Sequence, residues 1–275
     1  MDAAAYACQV TPGKPLLVFS INPGRSGSAY LQALLATAVG AVGAHEDPPT
    51  MVGEYLFAVE QQPRAASRDE RQTKVEAIEA AMELTPGAAA YIDTTNMFVK
   101  TFADVVIDAF GADRVGVIHL RRNTLDVARS FRELGCYTPT NTVSRPWMFD
   151  PLSPQSLAAT YHRVDRDDPT ELIVGYLVET ELQGRRFAQE NPETAVHDVH
   201  LDQLQTSEQV HALFRKLGLS ATEETALVVG RRLNAKQEPK AAAAIRAEGD
   251  FSEKVSTVLQ RFVEAGAPID AMLNP

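Results

Sequence analysis

The sequence has few cysteines and no long apolar run, and each absence excludes a class of protein. Its 275 residues include only two cysteines, Cys8 and Cys136, without a CxxC pair. That pattern argues against a disulfide framework and is typical of a reducing compartment. No apolar run approaches the roughly 20 residues of a membrane span, and the N-terminal stretch is too polar for a secretory signal core. We therefore expect a cytoplasmic protein without a membrane partner.

Positive charge is also in deficit. The chain has 26 Lys and Arg against 36 Asp and Glu, which gives a formal net charge of −10. A broad surface for nucleic acid is not expected at this charge, so any anionic ligand must be held by a few local cations. The composition, 45% hydrophobic and 23% charged, is that of an ordinary soluble globular protein.

Apolar runs that alternate with helical patterns predict the fold class. Four runs, at 15–21, 88–93, 114–120 and 194–201, are typical of buried strands. Strands that alternate with helices indicate a doubly wound parallel sheet. We therefore predict an α/β three-layer sandwich, with a central, mainly parallel sheet flanked by helices, in a single domain over 1–275. The predicted helices are 29–39, 69–84, 98–110, 124–134, 170–190, 207–217 and 251–265.

Two proline-containing segments interrupt this alternation. They are 45–64, which contains the sequence HEDPP, and 135–169, which contains the only tryptophan, Trp147. Long irregular segments in a compact domain often form lids or binding loops. We therefore expect both segments to shape the pocket of an acceptor molecule.

A glycine-rich turn at 22–28 follows the first predicted strand and opens a helix. Glycine lets the backbone approach a ligand closely, and a helix N-terminus adds free N–H groups and partial positive charge. These features predict a cradle for a phosphate-like anion. The alternative is a plain turn with a serine N-cap; the arginine in the turn favours the cradle. The residues that we expect to hold the anion are Gly24, Arg25, Ser26, Gly27, Ser28 and Ala29.

A second motif, RRNTLDVARS at 121–130, follows the predicted strand 114–120. Arg122 stands at the carboxyl end of that strand, where ligands of parallel α/β sheets bind. Ser130 comes eight residues later, about two helical turns on. A second anionic group could therefore bind between Arg122 and Ser130. The alternative is that Arg121, Arg122 and Arg129 form a solvated face.

The two motifs together resemble the cofactor loops of the PAPS-dependent sulfotransferases, and of their bacterial-type members in particular. PGRSGSAYL is similar to the 5′-phosphosulfate loop, and RNTLDVARS is similar to the 3′-phosphate motif. The resemblance implies a P-loop NTPase-like fold that binds 3′-phosphoadenosine 5′-phosphosulfate (PAPS), transfers its sulfuryl group to a hydroxyl or amine of a small molecule, and releases PAP without a metal. By motif position, Arg25, Ser26, Gly27 and Ser28 would hold the phosphosulfate, and Arg122 with Ser130 the 3′-phosphate.

The resemblance also suggests the catalytic base. In similar bacterial members, a glutamate in an HE-plus-proline segment takes the acceptor proton, which makes Glu46 the expected base and an acceptor contact. His45 is the alternative, because histidine titrates near neutral pH. A third interpretation is that residues 45–47 are simply a polar loop.

The sequence departs from the family at 93–96, where many members carry a lysine and this chain reads DTTN. Lys100, Arg25 or the substrate itself must then offset charge on the leaving phosphate. We expect Asn96 to hydrogen-bond the acceptor or the sulfonate. Trp147 is either a lid over the acceptor or an ordinary core aromatic.

Two other functions remain open on the sequence alone. A P-loop kinase or nucleotide hydrolase needs Mg²⁺, a P-loop lysine and an acidic residue at a strand end. The lysine is missing, but Asp93 ends a predicted strand. A non-catalytic nucleotide-binding protein would keep the cradle and dispense with Glu46 and Asn96. The oligomeric state, including a homo-oligomer, is also open.

Overall fold

One parallel sheet organises the chain. The computed structural model describes residues 16–231 and 249–273, and within them five strands form a single sheet. They are β1 (Leu16–Ile21), β2 (Ala41–Val42), β3 (Ala90–Asp93), β4 (Val115–Arg121) and β5 (Ala195–His200), in the order β2-β3-β1-β4-β5. All neighbouring strands are parallel. β1 is therefore central, between β3 and β4.

Helices connect and cover the strands. In chain order they are α1 (Ser28–Leu35), α2 (Glu54–Gln61), α3 (Arg68–Arg71), α4 (Thr73–Glu83), α5 (Ala103–Phe110), α6 (Thr124–Glu133), α7 (Pro169–Glu190), α8 (Ser207–Lys216), α9 (Glu223–Val228), α10 (Gly249–Glu264) and α11 (Asp270–Leu273).

Both faces of β1 are buried, which accounts for its continuous apolar sequence. Leu17 and Phe19 pack in an apolar cluster with residues of α5, α6 and α7. Leu16 and Val18 pack in a second cluster with residues of α1 and α8. Because successive strand residues point to opposite faces, helices cover the sheet on both sides. The predicted α/β sandwich with a central parallel sheet flanked by helices is confirmed.

The segments 45–64 and 135–169 pack against each other. The first is not irregular throughout, because it contains α2, whose Glu60 is fully buried. The Glu60 carboxylate accepts hydrogen bonds from Nη1 and Nη2 of Arg145, at 3.1 and 2.5 Å. It also accepts one from the backbone N–H of Asp150 at 2.6 Å. An ion pair between the half-buried Arg145 and the buried carboxylate of Glu60 thus holds the two segments together.

The boundaries differ from the predictions in a few places. The helix predicted at 69–84 is divided into α3 and α4, and the one at 98–110 begins as a π-helical turn, Phe98–Phe102, before α5. β2 and α9 were not predicted, because elements this short leave little periodic pattern in a sequence.

Cys136 is a buried free thiol, and burial raises the pKa of that thiol. Cys8 lies outside the described residues. Within 16–231 and 249–273, no helix has both the length and the apolarity that crossing a bilayer requires.

Candidate functional site

The turn between β1 and α1 is folded tightly at the carboxyl edge of the sheet. Gly24, Arg25 and Gly27 have φ angles of 86°, 58° and 95°. The side chain of Asn22 braces the turn: its Oδ1 accepts the N–H of Gly24 at 2.9 Å, and its Nδ2 donates to Ser20 Oγ at 2.7 Å. The turn is therefore held in shape by its own buried polar groups.

The N-terminus of α1 has no side-chain cap on its first N–H groups within the described residues. Its N-cap residue is Gly27. The serine N-cap of the alternative interpretation is therefore not what the structure has. The first N–H groups of a helix lack intrahelical partners and carry partial positive charge, so the turn can receive an anion.

Gly27 is also required by its surroundings. A Cβ placed on Gly27 would lie 2.6 Å from Cδ1 of Leu201, which follows β5. That separation is far shorter than a normal carbon–carbon contact of about 3.5–4.0 Å. A side chain here would be strained by the positive φ and would force Leu201 to shift, because the cradle backbone packs directly against Leu201.

The second motif meets the first because β4 is the neighbour of β1. Arg25 Nε donates to Ser130 Oγ at 2.9 Å, and Arg122 Nη1 donates to the carbonyl of Arg25 at 3.1 Å. Arg25 forms no ion pair with the part of the chain that the structure describes, and Arg122 Nη2 lies 3.8 Å from Asp126 Oδ2. Two motifs about a hundred residues apart thus form one cationic cluster, in which the side chain of Arg25 extends toward Ser130.

The other two arginines of the second motif are engaged in ion pairs. Arg121 pairs with Glu181 and with Asp198, and Arg129 Nη1 lies 3.2 Å from Asp126 Oδ1. Burial alone would raise the pKa of Glu181, but hydrogen bonds from His119 and Arg121 hold it well below its usual range. Glu181 therefore stays ionised and fixes Arg121. Of the adjacent arginines Arg121 and Arg122, it is Arg122 that contacts the cradle.

A cavity of about 430 Å³ opens beside this cluster. The cradle contributes Ser26 to its wall, the end of β4 and the start of α6 contribute Arg122 and Thr124, and α7 contributes Leu177 and Glu181. Ligand cavities in proteins commonly have 300–1,000 Å³ and mix apolar walls with a few polar groups. The cavity is therefore large enough for a small molecule whose anionic end lies in the cradle.

On the other side of the cradle, Asp93 at the end of β3 anchors the segment that contains Glu46. Its Oδ1 accepts the N–H groups of Glu46 and Thr95, at 3.1 and 3.0 Å. Its Oδ2 accepts from Lys74 Nζ at 2.9 Å, and both side chains are buried. The carboxylate of Asp93 is thus fully used within the chain, whereas the side chain of Glu46 is 53% exposed.

His45 connects this segment to the first residue of α1. Thr94 Oγ1 donates to the carbonyl of Ser28 at 2.9 Å, so its one proton is used there. The contact of 3.1 Å between His45 Nδ1 and Thr94 Oγ1 then needs a proton on Nδ1. In neutral His45 the unprotonated nitrogen is therefore Nε2, which lies 3.9 Å from Glu46 Oε1.

Asn96 and Trp147 both lie against the cradle. A Cβ on Gly24 would be 3.0 Å from Asn96 Nδ2 and 3.4 Å from the ring of Trp147. Asn96 is 6% exposed, and its Oδ1 has no partner among the described residues. Trp147 is half-buried and packs on Phe131, with ring centroids 5.9 Å apart. Buried polar atoms normally have partners, so Asn96 Oδ1 has an unused bonding capacity beside Gly24.

Lys100 is connected to the cradle turn through the side chain of Tyr176. Its ammonium is fully buried and donates to Tyr176 Oη at 2.7 Å and to the carbonyl of Trp147 at 3.2 Å. Tyr176 in turn donates to the carbonyl of Pro23. Burial lowers the pKa of Lys100 to about 7, although Glu46 and Glu60 act to raise it. Tyr176 could not be singled out from the sequence, because most residues of α7 are buried, polar ones included.

Comparisons with known proteins find likeness in structure only. No protein-family model matches the chain, and no curated protein matches its sequence. The chain is similar to a sulfotransferase from Alicyclobacillus acidocaldarius, with 15% identity, 95% of this chain and 99% of the other covered, and a TM-score of 0.49. For mouse sulfotransferase SULT7A1 complexed with PAP the values are 13%, 94%, 86% and 0.46. For the sulfotransferase domain from the curacin biosynthetic pathway they are 12%, 84%, 83% and 0.44.

Proposed function

We propose that the protein is a PAPS-dependent sulfotransferase that moves a sulfuryl group to a hydroxyl or amine of a small-molecule acceptor. The observation that carries this proposal is the cluster of Arg25, Arg122 and Ser130 beside the uncapped N-terminus of α1. It joins two anion-binding motifs in one place, and PAPS has two anionic ends, the 5′-phosphosulfate and the 3′-phosphate.

The residues present fit this cofactor. The turn 24–28 offers backbone N–H groups and a helix N-terminus without a side-chain cap, and Arg25 has no carboxylate partner in the described ranges. The cavity next to Ser26 and Arg122 has the size of a nucleoside site. PAPS, when bound, would supply an activated sulfuryl group for transfer to the acceptor. The N–H groups of the turn would then stabilise the charge that develops on the leaving phosphate.

Glu46 is the proposed base. Its side chain is half-exposed, and its backbone N–H is held by Asp93 at the carboxyl end of β3. The acceptor hydroxyl would give its proton to Glu46 as its oxygen bonds to sulfur. His45 Nε2, free of the proton that Nδ1 uses on Thr94, is the alternative. Asn96 would hydrogen-bond the acceptor or the sulfonate, and Trp147 would form a wall of the acceptor site.

The state of Asp93 weighs against the kinase or hydrolase interpretation. Such an enzyme would use this acidic residue at the Mg²⁺ site, but both of its oxygens are bonded to Lys74 and to backbone N–H groups. A sulfuryl group carries less charge than a γ-phosphoryl group, so a cradle of arginine and backbone suits it without a metal.

The test is a pair of measurements. Calorimetry is expected to show PAP binding far more tightly than ATP and independently of Mg²⁺; Mg²⁺-dependent ATP binding without PAP binding would refute the proposal. Transfer of labelled sulfate from PAPS is then followed across phenols, alcohols, sugars and amines. PAP binding without transfer to any acceptor, in the wild type and Glu46→Gln alike, would favour a non-catalytic nucleotide-binding protein.

A further inference from the structure

Lys100 has a buried side-chain amine with no carboxylate among its hydrogen-bond partners. Its hydrogen-bond partners, the hydroxyl of Tyr176 and the carbonyl of Trp147, are neutral, and its ammonium lies 4.9 Å from the centroid of the Tyr176 ring. No ion pair among residues 16–231 and 249–273 includes it; Glu60 pairs instead with Arg145. Burying a charge without a partner is costly, so the ammonium needs either to lose its proton or to acquire a counter-charge.

Both partners of Lys100 belong to the wall of the cradle. Tyr176 passes the hydrogen bond on to the carbonyl of Pro23, the residue before Gly24. Trp147 packs against Gly24 itself. The direction of donation is the same throughout, from ammonium to hydroxyl to carbonyl. The ammonium is therefore two hydrogen bonds from the backbone of the anion-binding turn.

We propose that Lys100 supplies the counter-charge of the cradle, so that an anion bound in the turn holds a proton on the ammonium and the site takes up one proton as it binds. The inference rests on the proposed function for the identity of the anion, PAP or PAPS. In a P-loop NTPase a lysine within the loop supplies this charge. Here the charge is assigned to Lys100, which lies outside the turn. Lys100 acts through Tyr176 and is a positioning residue.

Lys100→Met is needed to separate uptake by Lys100 from uptake by the other titratable groups around it. Burial raises the pKa of Tyr176 and Tyr137 well above the ordinary 10, so both stay protonated. β1 has no titratable side chain in its sequence. Glu46 and Glu60 are the carboxylates whose charge acts on Lys100, and Arg64 donates to the carbonyl of Lys100. Asp104 on α5 pairs with Arg71. Burial raises the pKa of Glu60 on α2 and of Glu179 on α7.

The experiment is calorimetric titration of the full chain with PAP at pH 8, in two buffers of different ionisation enthalpy. Phosphate groups have their second pKa near 6, so the ligand itself contributes little at this pH. We expect the wild type to take up close to one proton per PAP, and its affinity to fall by up to about tenfold per pH unit between 7.5 and 9. Lys100→Met, which keeps the length of the side chain, is expected to bind PAP with no proton uptake and a flat pH profile.

Two further variants separate charge from structure. Lys100→Arg keeps a permanent charge and is expected to bind PAP without uptake at any pH in this range. Tyr176→Phe keeps the ring and removes the hydroxyl, and is expected to reduce the uptake. Equal uptake by the wild type and Lys100→Met, or no uptake by the wild type, overturns the inference; the second outcome decides even where Lys100→Met does not fold.

Failure of the proposed function gives a different result. If the wild type does not bind PAP, pyrophosphate is the probe. Pyrophosphate binding with proton uptake that Lys100→Met abolishes would support the role of Lys100 in a site for another anion. Pyrophosphate binding without uptake, or no binding of either anion, overturns it.

Discussion

Gly27→Ala tests whether Leu201 shapes the cradle. Two costs add in this variant. Holding alanine at a φ of 95° costs about 1–2 kcal/mol, as for other left-handed conformations. A methyl group 2.6 Å from Leu201 Cδ1 and 2.9 Å from Cδ2 forces the leucine to move, and overpacking of this kind costs about 1–3 kcal/mol. We expect Gly27→Ala to lower the free energy of unfolding by roughly 2–5 kcal/mol.

The assay is urea unfolding followed by circular dichroism, compared at constant m-value. Gly87→Ala is the matched control, because Gly87 has a φ of 84° and a Cβ there would have no neighbour within 4 Å; it isolates the backbone cost. In Gly27→Ala/Leu201→Ala the clash disappears and the backbone cost remains, so the double variant should be about 1–3 kcal/mol more stable than the two single effects predict. Additivity within about 0.5 kcal/mol would show that Leu201 does not constrain the turn.

The remaining predictions concern the site and its supports. Arg122→Ala is expected to weaken PAP binding by about 1.5–3 kcal/mol, the range for hydrogen bonds to charged groups; unchanged affinity in calorimetry would remove Arg122 from the site. Glu46→Gln is expected to abolish sulfate transfer while PAP affinity stays nearly intact, and retained turnover would pass the base role to another group. Arg145→Met leaves the buried Glu60 carboxylate without its guanidinium and is expected to cost about 2–3 kcal/mol in denaturant unfolding, less than the loss for a fully buried pair because Arg145 is partly exposed. Adding Glu60→Gln should recover part of that loss, and equal losses would contradict the ion-pair account. The pKa of Lys100 is lowered from 10.5 to about 7, so the unfolded chain binds more protons between these values and wild-type stability rises with pH there; a wild-type profile parallel to that of Lys100→Met from pH 7 to 10 would be inconsistent with a buried lysine.

The sheet and the position of the cradle could be predicted from the sequence because their signals are local. The apolar run of β1 requires burial on both faces, and the glycines that follow it mark a turn that other residues adopt with strain. RRNTLDVARS after β4 predicts a second site at the same sheet edge. The roles of the individual residues that these motifs name, from Gly24 to Ala29 with Arg122 and Ser130, stay predictions until ligand binding is measured.

Only the tertiary structure decided which side chains act on the cradle and which are used elsewhere. The sequence left Asp93 open as a magnesium ligand, and the fold gives its carboxylate to Lys74. It also left Lys100 open as the cation for the leaving phosphate. In the fold, Lys100 donates to the hydroxyl of Tyr176 on α7, a residue that could not be singled out from the sequence. These contacts join residues that are 19 and 76 positions apart. Local patterns record which residues are buried, but the partner of a buried charge depends on the packing of distant elements, and that packing exists only in the folded chain.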